Sequence, residues 1–294
     1  MSEDLLVAEN VEVAFEGRRS LFGASRPEVK VLNGVSVRIG RGETVGIVGE
    51  SGSGKTTLGR ALLRLVDVTA GRIAYEGRDI THISEANMRH LRRRMQLIFQ
   101  DPMASLNPRR AIRRSVLEPM IFHRVAKDEA GAELRARAIF QRFSLPLACL
   151  DRYPHELSGG QRQRVGIARA ALLAPDLVVA DEIVSGLDVS TQAQALNLLK
   201  TLSRDLGLAM AFISHDLSVI RAVCDRVYVL HGGRVVEEGA CDTVFASPKS
   251  DTTRALLDAI PLPRVDPGWL DRNLAADGAE NGSVRLRSSS SASV

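Results

Sequence analysis

Residues 45–48, Val-Gly-Ile-Val, form a short apolar run leading straight into Gly49, Glu50, Ser51, Gly52, Ser53, Gly54, Lys55, Thr56 and Thr57. A buried strand, a glycine-rich turn and a helix start in immediate succession constrain this chain more than any other stretch. Gly49, Gly52 and Gly54 let the backbone take conformations closed to residues with a Cβ, so successive N–H groups turn toward one anion. Lys55 supplies a cation and Thr56 a hydroxyl for Mg²⁺, both at the positive end of the helix that follows. An ordinary strand-to-helix turn needs no such combination, and the expected ligand is a nucleoside triphosphate.

The stretches on either side have a matching texture. Val11, Val13 and Phe15 alternate with polar residues, as do Val35 and Val37 within residues 31–39, which predicts two strands of an antiparallel sheet. Residues 17–27 read as an exposed loop between them. The helix carrying the phosphate loop is expected over residues 55–65, and Ser84 is placed to cap a basic helix running to Arg94 before a strand at 95–99. From residue 101 to about 153, helix formers broken by Pro102, Pro108, Pro119 and Pro146 replace β-rich runs, which predicts a helical lobe inserted into an α/β core. Apolar strands at 177–180, 209–214 and 227–230 alternate with helices, the pattern of a mostly parallel sheet covered on both faces.

Composition narrows the class. Of 294 residues, 45% are hydrophobic and 25% charged, the balance of a globular protein with a sizeable core. Aromatics at 4% disfavour a nucleic-acid reader built on base stacking. The basic groups Arg92-Arg93-Arg94 and Arg109, Arg110, Arg113, Arg114 lack interleaved aromatics and read as solvated helix faces. Cys149, Cys224 and Cys241 have neither zinc nor disulfide spacing. No uncharged run approaches the roughly 18 residues of a membrane span, and the acidic start is unlike a signal peptide, so a cytoplasmic location is expected.

A phosphate loop alone leaves kinases, GTPases and many ATPases open. The stretch Leu157-Ser158-Gly159-Gly160-Gln161 discriminates, because a hydroxyl and two glycine N–H groups at the start of a helix over 162–173 make a second anion-binding terminus. Two such termini could clamp one phosphate from both sides, or serve one site in this chain and one in a neighbour.

With these motifs in hand, the sequence resembles the ATP-binding subunits of ABC transporters over roughly residues 5–265. Residues 49–56 match the Walker A loop, Gln100 the Q-loop glutamine, residues 157–161 the signature motif, residues 177–182 the Walker B strand, Ser185-Gly186-Leu187-Asp188 the D-loop and His215 the switch histidine, in the family's order. The resemblance implies a RecA-like P-loop α/β core with an antiparallel β subdomain and an inserted helical subdomain carrying the signature motif. It implies that Asp181 and Thr56, with Gln100, hold Mg²⁺, that Glu182 is the general base, and that His215 contacts the γ-phosphate. An acidic pair ending an apolar strand emerges at the sheet's ligand-binding edge, although such a pair in isolation is more often a helix cap or surface charge. Phe15 stands where the family stacks an aromatic on adenine, but it shares a face with Val11 and Val13 and could equally be core.

The wording of residues 99–108 and 187–194, and of Thr253-Arg254-Ala255-Leu256-Leu257, resembles the branch powering oligopeptide and dipeptide importers. The implied organisation is an ATPase domain over 1–240 with its helical subdomain at about 101–165 and a C-terminal extension at 241–268; the composition of residues 269–294, ending in a serine run, predicts a disordered tail with no counterpart in that branch. The implied partners are a second ATPase subunit, transmembrane permease subunits at the cytoplasmic face of the membrane and, indirectly, a substrate-binding protein. Nucleic acid is not among them. A soluble ABC subunit of an enzyme complex, of the carbon-phosphorus lyase type, is the alternative. Ile183 replaces the branch's usual proline, and Ser250, Asp251 and Thr252 replace its usual histidine, proline and tyrosine.

Overall fold

The computed structural model describes residues 4–15, 28–101, 103 and 106–259. In chain order its elements are β1 (Asp4–Phe15), β2 (Val29–Gly40), β3 (Thr44–Gly49), α1 (Lys55–Leu62), β4 (Ala70–Tyr75), β5 (Arg78–Asp79), α2 (Glu85–Arg92) and β6 (Met95–Ile98). There follow α3 (Ile112–Phe122), α4 (Glu129–Arg142), α5 (Gly159–Ala171), β7 (Leu177–Asp181), α6 (Val189–Leu206), β8 (Ala209–Ile213), α7 (Leu217–Val223), β9 (Arg226–His231), β10 (Arg234–Ala240), α8 (Cys241–Ala246) and α9 (Asp251–Asp258).

The strands form two sheets. One is antiparallel in the order β2-β1-β4-β5; the other runs β10-β9-β3-β8-β7-β6 and is parallel except for β10. All six residues of β3 are buried, as are all five of β7 and of β8, which fits continuous apolar runs covered on both faces. Gly59 lets α1 approach one face, since a Cβ there would come within 2.7 Å of Ile213 Cδ1. On the other face a Cβ at Gly46 would meet Ile220 of α7 at the same distance. The main core lies where α1 is packed between the two sheets, and Leu58 and Leu62 belong to one buried cluster with Val11, Leu32, Val179 and Ile213. The mixed α/β architecture agrees with the RecA-like core and antiparallel subdomain read from sequence.

Two local expectations are corrected. The helix after the phosphate loop stops at Leu62 and not at residue 65, because Arg64 turns to φ +53° and the Arg92 guanidinium donates to the carbonyls of Leu63 (2.5 Å) and Arg64 (2.9 Å). Arg92 and Arg94 therefore do not form a solvated face. Arg94 bonds Asp176 and reaches Glu76 at 2.6–2.7 Å, while the Tyr75 hydroxyl donates to Asp176 at 2.8 Å. This network ties the antiparallel sheet to the start of β7, and holds the Glu76 carboxyl down at about 2, chiefly through Arg94 and Arg41. Arg110, Arg113 and Arg114 do make surface ion pairs, with Glu118, Glu133 and Asp151.

Two contact units divide the chain, Met1–Asp258 and Ala259–Val294, and every element above lies in the first. The loop expected at 17–27, the tail at 269–294 and residues 260–268 of the extension lie outside the described residues. Cys149, Cys224 and Cys241 are buried free thiols. Among the described residues, no helix is long and apolar enough to cross a membrane.

Candidate active site

Strand order sets the site. In the sequence β3-β8-β7-β6, four parallel neighbours end on one edge, and each delivers its next residues there: the glycine-rich loop after β3, His215 after β8, Glu182 after β7 and Gln100 after β6. The register pairs Asp181 with Ile213 and Ile98 with Ala180, so these ends stand side by side. Carboxyl ends of strands in an open α/β sheet are where ligands bind.

The loop itself is tightly seated. Gly49 has φ +151°, and a Cβ there would lie 2.2 Å from Leu230 O; Gly54, at φ +102°, caps α1. Ser51 and Gly52 are exposed, Ser53 is buried, and Thr57 is half-buried on α1. Glu50 Oε2 lies 3.8 Å from His231 Nδ1. Lys55 Nζ curls back to donate to the carbonyls of Gly49 (2.8 Å) and Glu50 (2.7 Å). Burial pulls its pKa below the ordinary lysine value, with Glu182 and Asp181 opposing the shift.

Behind the loop, Thr56 Oγ1 donates to Asp181 Oδ1 at 3.0 Å. Asp181 is buried, and burial raises its pKa against the Thr56 hydrogen bond. Glu182 sits at φ +46°, and its N–H donates to Ile213 O at 2.9 Å. A left-handed non-glycine residue at a cluster of ionisable groups is a form of local strain found at functional sites. Gln100 Nε2 donates to Glu182 Oε2 at 3.1 Å, and His215 Nδ1 lies 3.6 Å from the same oxygen. Ile183, in place of proline, is buried at 1% exposure.

Ser158 caps α5 in a reciprocal box: its hydroxyl accepts from Gln161 N (3.3 Å) and its N–H donates to Gln161 Oε1 (3.0 Å). Ser158 and Gly159 are exposed, and Gly160 abuts Thr191, where a Cβ would come within 2.9 Å of Cγ2. Asp188 caps α6, accepting from Thr191 N at 2.9 Å and Thr191 Oγ1 at 2.7 Å. The chain thus gathers Lys55, Thr56, Gln100, Asp181, Glu182 and His215 at one edge, while Ser158, Gly159, Gly160, Gln161 and Asp188 belong to the paired starts of α5 and α6. Phe15 is 45% exposed although Val11 and Val13 are at 0% and 1%; it is the last residue of β1, beyond the covered part of the strand.

Sequence reasoning did not find a groove of about 500 Å³ between β6 and the α3 and α5 helices. Leu63, Leu97, Phe99 and Phe122 line it, with the buried Gln163, whose Nε2 has no partner, and Arg169. Gln163 and Arg169 lie six residues apart on α5, so an apolar-faced helix with two long polar groups was the available signal.

The fold and this edge define a P-loop nucleoside-triphosphate-binding protein. The model of the family described as ABC transporter matches residues 32–185. A Brucella ovis protein named as a peptide import ATP-binding protein is 52% identical over 238 residues, which is 81% of this chain and 75% of that relative. The oligopeptide transport ATP-binding protein OppF of Salmonella typhimurium is 44% identical over 271 residues, 92% of this chain and 80% of its own. The dimeric post-hydrolysis state of the ATP-binding cassette MJ0796 bound to ADP and Pi matches with a TM-score of 0.72 at 28% identity, covering 80% of this chain and 98% of that one. This chain belongs to the ABC transporter family; it is an ATP-binding cassette and an ATPase.

Proposed function

We propose that the chain is the ATP-hydrolysing subunit of a membrane importer for oligopeptides or dipeptides. The observation that carries the catalytic part is the convergence of Gln100 and His215 on one oxygen of Glu182, beside the Thr56–Asp181 pair. Relatives named for peptide import and oligopeptide transport support the transport part, and favour it over a soluble subunit of an enzyme complex.

In this reading Gly49, Glu50, Ser51, Gly52, Ser53, Gly54 and Thr57 wrap the phosphates with backbone N–H and hydroxyl donors. Lys55 exchanges its two loop carbonyls for phosphate oxygens, and its burial keeps that charge in a medium where it counts for more. Thr56, Asp181 and Gln100 would hold Mg²⁺. They fit, being hard oxygen donors with one carboxylate among them, already joined in part by the Thr56–Asp181 hydrogen bond. When bound, the ion neutralises charge on the β- and γ-phosphates. Glu182 accepts a proton from the attacking water, Gln100 orients that carboxylate and the water, and His215 contacts the terminal phosphate. Phe15, exposed at the end of β1, stacks on the adenine.

Ser158, Gly159, Gly160, Gln161 and Asp188 face the ATP of a second ATPase subunit, and closure of that pair moves permease subunits. The apolar groove beside Phe99 and Phe122 supports the permease contact, since Gln100 directly follows Phe99 and so links the groove to Glu182. The subunit acts at the cytoplasmic face of the membrane, with a substrate-binding protein supplying the cargo and no nucleic acid involved. Glu182→Gln tests the assignment: it should keep ATP affinity, lose hydrolysis and accumulate ATP-bound dimers. Hydrolysis at the parental rate would refute Glu182 as the base.

A further inference from the structure

The hairpin between β9 and β10 turns through Gly232 and Gly233, both left-handed at φ +54° and +74°, as a tight two-residue connection requires. Its polar groups are engaged by two distant segments. Gly233 O accepts from Asn33 N at 2.8 Å, and Gly232 O accepts from Asn33 Nδ2 at 3.0 Å. On its other side Gly233 N donates to Ser53 O, inside the phosphate loop, at 3.1 Å. The strands β9 and β2 also wall the phosphate loop at its ends. A Cβ at Gly49 would meet Leu230 O at 2.2 Å, and one at Gly54 would meet Leu32 Cδ2 at 2.9 Å.

From this we infer that Asn33 is a positioning residue for the phosphate loop. Its side-chain amide locks the Gly232–Gly233 turn, the turn fixes the Ser53 carbonyl, and the fixed carbonyl sets the peptide planes whose N–H groups face the phosphates. A loop held in this shape before binding avoids the ordering cost that a mobile glycine-rich loop would meet on each encounter. The inference rests on the reading of residues 49–57 as the ATP phosphate site, and adds a residue from the antiparallel sheet to it. No substrate contact is required of Asn33.

The test uses the full chain and measures ATP affinity, kcat and KM for ATP, and thermal unfolding for Asn33→Ala and Asn33→Asp. Aspartate keeps the shape of asparagine but has no donor for Gly232 O when ionised. Both variants should weaken ATP binding and raise KM about five- to tenfold, the effect of one lost hydrogen bond, with kcat at saturating ATP retained. Asn33→Ser, which restores a donor, should recover part of the loss. Parental affinity in Asn33→Asp would overturn the inference, as would an effect confined to the unfolding temperature. Lys55→Ala in the same assay separates the two claims. If it binds ATP normally, the reading of the loop falls and takes the inference with it; if it is weakened while Asn33→Asp is parental, the inference alone falls.

Discussion

Gln100 Nε2 and Glu182 Oε2 stand 3.1 Å apart, joining the ends of two neighbouring strands across the mouth of the helical lobe. Gln100 follows the groove-lining Phe99, so the residue bonded to the carboxylate proposed as base is the chain neighbour of the surface proposed for the permease. Gln100→Ala should lower ATP turnover about tenfold, the scale of a lost hydrogen bond to a charged group, and leave ATP affinity near the parental value. Steady-state hydrolysis alongside equilibrium nucleotide binding checks this, and unchanged turnover would count against the orienting role.

Glu182 holds φ +46°, which favours glycine over any residue with a Cβ. Glu182→Ala and Glu182→Gly should both abolish hydrolysis, yet the glycine variant should be the more stable of the two by about 1 kcal/mol in denaturant unfolding. The reverse order would mean that the backbone relaxes once the carboxylate is gone.

Gly160 has a second constraint besides any contact with phosphate. A Cβ there meets Thr191 Cγ2 at 2.9 Å, while the Thr191 hydroxyl is held by Asp188. Gly160→Ala should therefore push α5 away from α6 and reduce turnover about tenfold, in keeping with the cost of overpacking. Thr191→Ser removes the offending methyl and keeps the hydroxyl, so the double variant should regain activity. If it does not, the glycine is required for another reason.

Glu237 on β10 is buried, and its carboxylate accepts from Thr253 Oγ1 (2.6 Å), Ser250 N (2.9 Å) and Lys249 N (2.9 Å). Burial alone would raise its pKa, but these donors prevail and hold it down at about 2. A depressed carboxyl pKa stabilises the fold above its unfolded value, and that contribution is lost as pH falls from there toward 2. Glu237→Gln should thus cost about 2 kcal/mol at pH 7 in denaturant unfolding, and the gap from the parent should shrink as pH drops through 4. A gap independent of pH would contradict the linkage.

The phosphate loop, Ser158 as a cap and the apolar strands were legible because each is written in adjacent residues. Their convergence was not, since the order β3-β8-β7-β6 brings Gln100 to Glu182 from 82 residues away. Arg92 and Arg94 read as solvent charge because their partners are backbone carbonyls after α1 and acids in the β4–β5 turn and just before β7. β10 was not legible: in its run Arg234–Ala240 the buried position is held by Glu237 between exposed neighbours, and that carboxylate makes sense once Ser250 and Thr253 arrive from α9 and the turn before it. Ser250, one of the departures at positions 250–252, has a role of its own, because its Oγ accepts from Thr253 N at 3.0 Å and so caps the last helix. Alternation grouped Phe15 with Val11 and Val13, but Phe15 ends β1 and is exposed there, and where cover of a strand stops is not written in its alternation.

At the centre of this account is a phosphate loop that forms half of a site, with Ser158, Gly159 and Gly160 of a second subunit completing it. Specific ATPase activity of the purified chain, measured over a wide range of chain concentration at saturating ATP, tests this most directly. The account predicts an activity per chain that rises with concentration as pairs form, while ATP affinity of the dilute chain persists. Constant activity per chain down to concentrations where the protein is monomeric would contradict it.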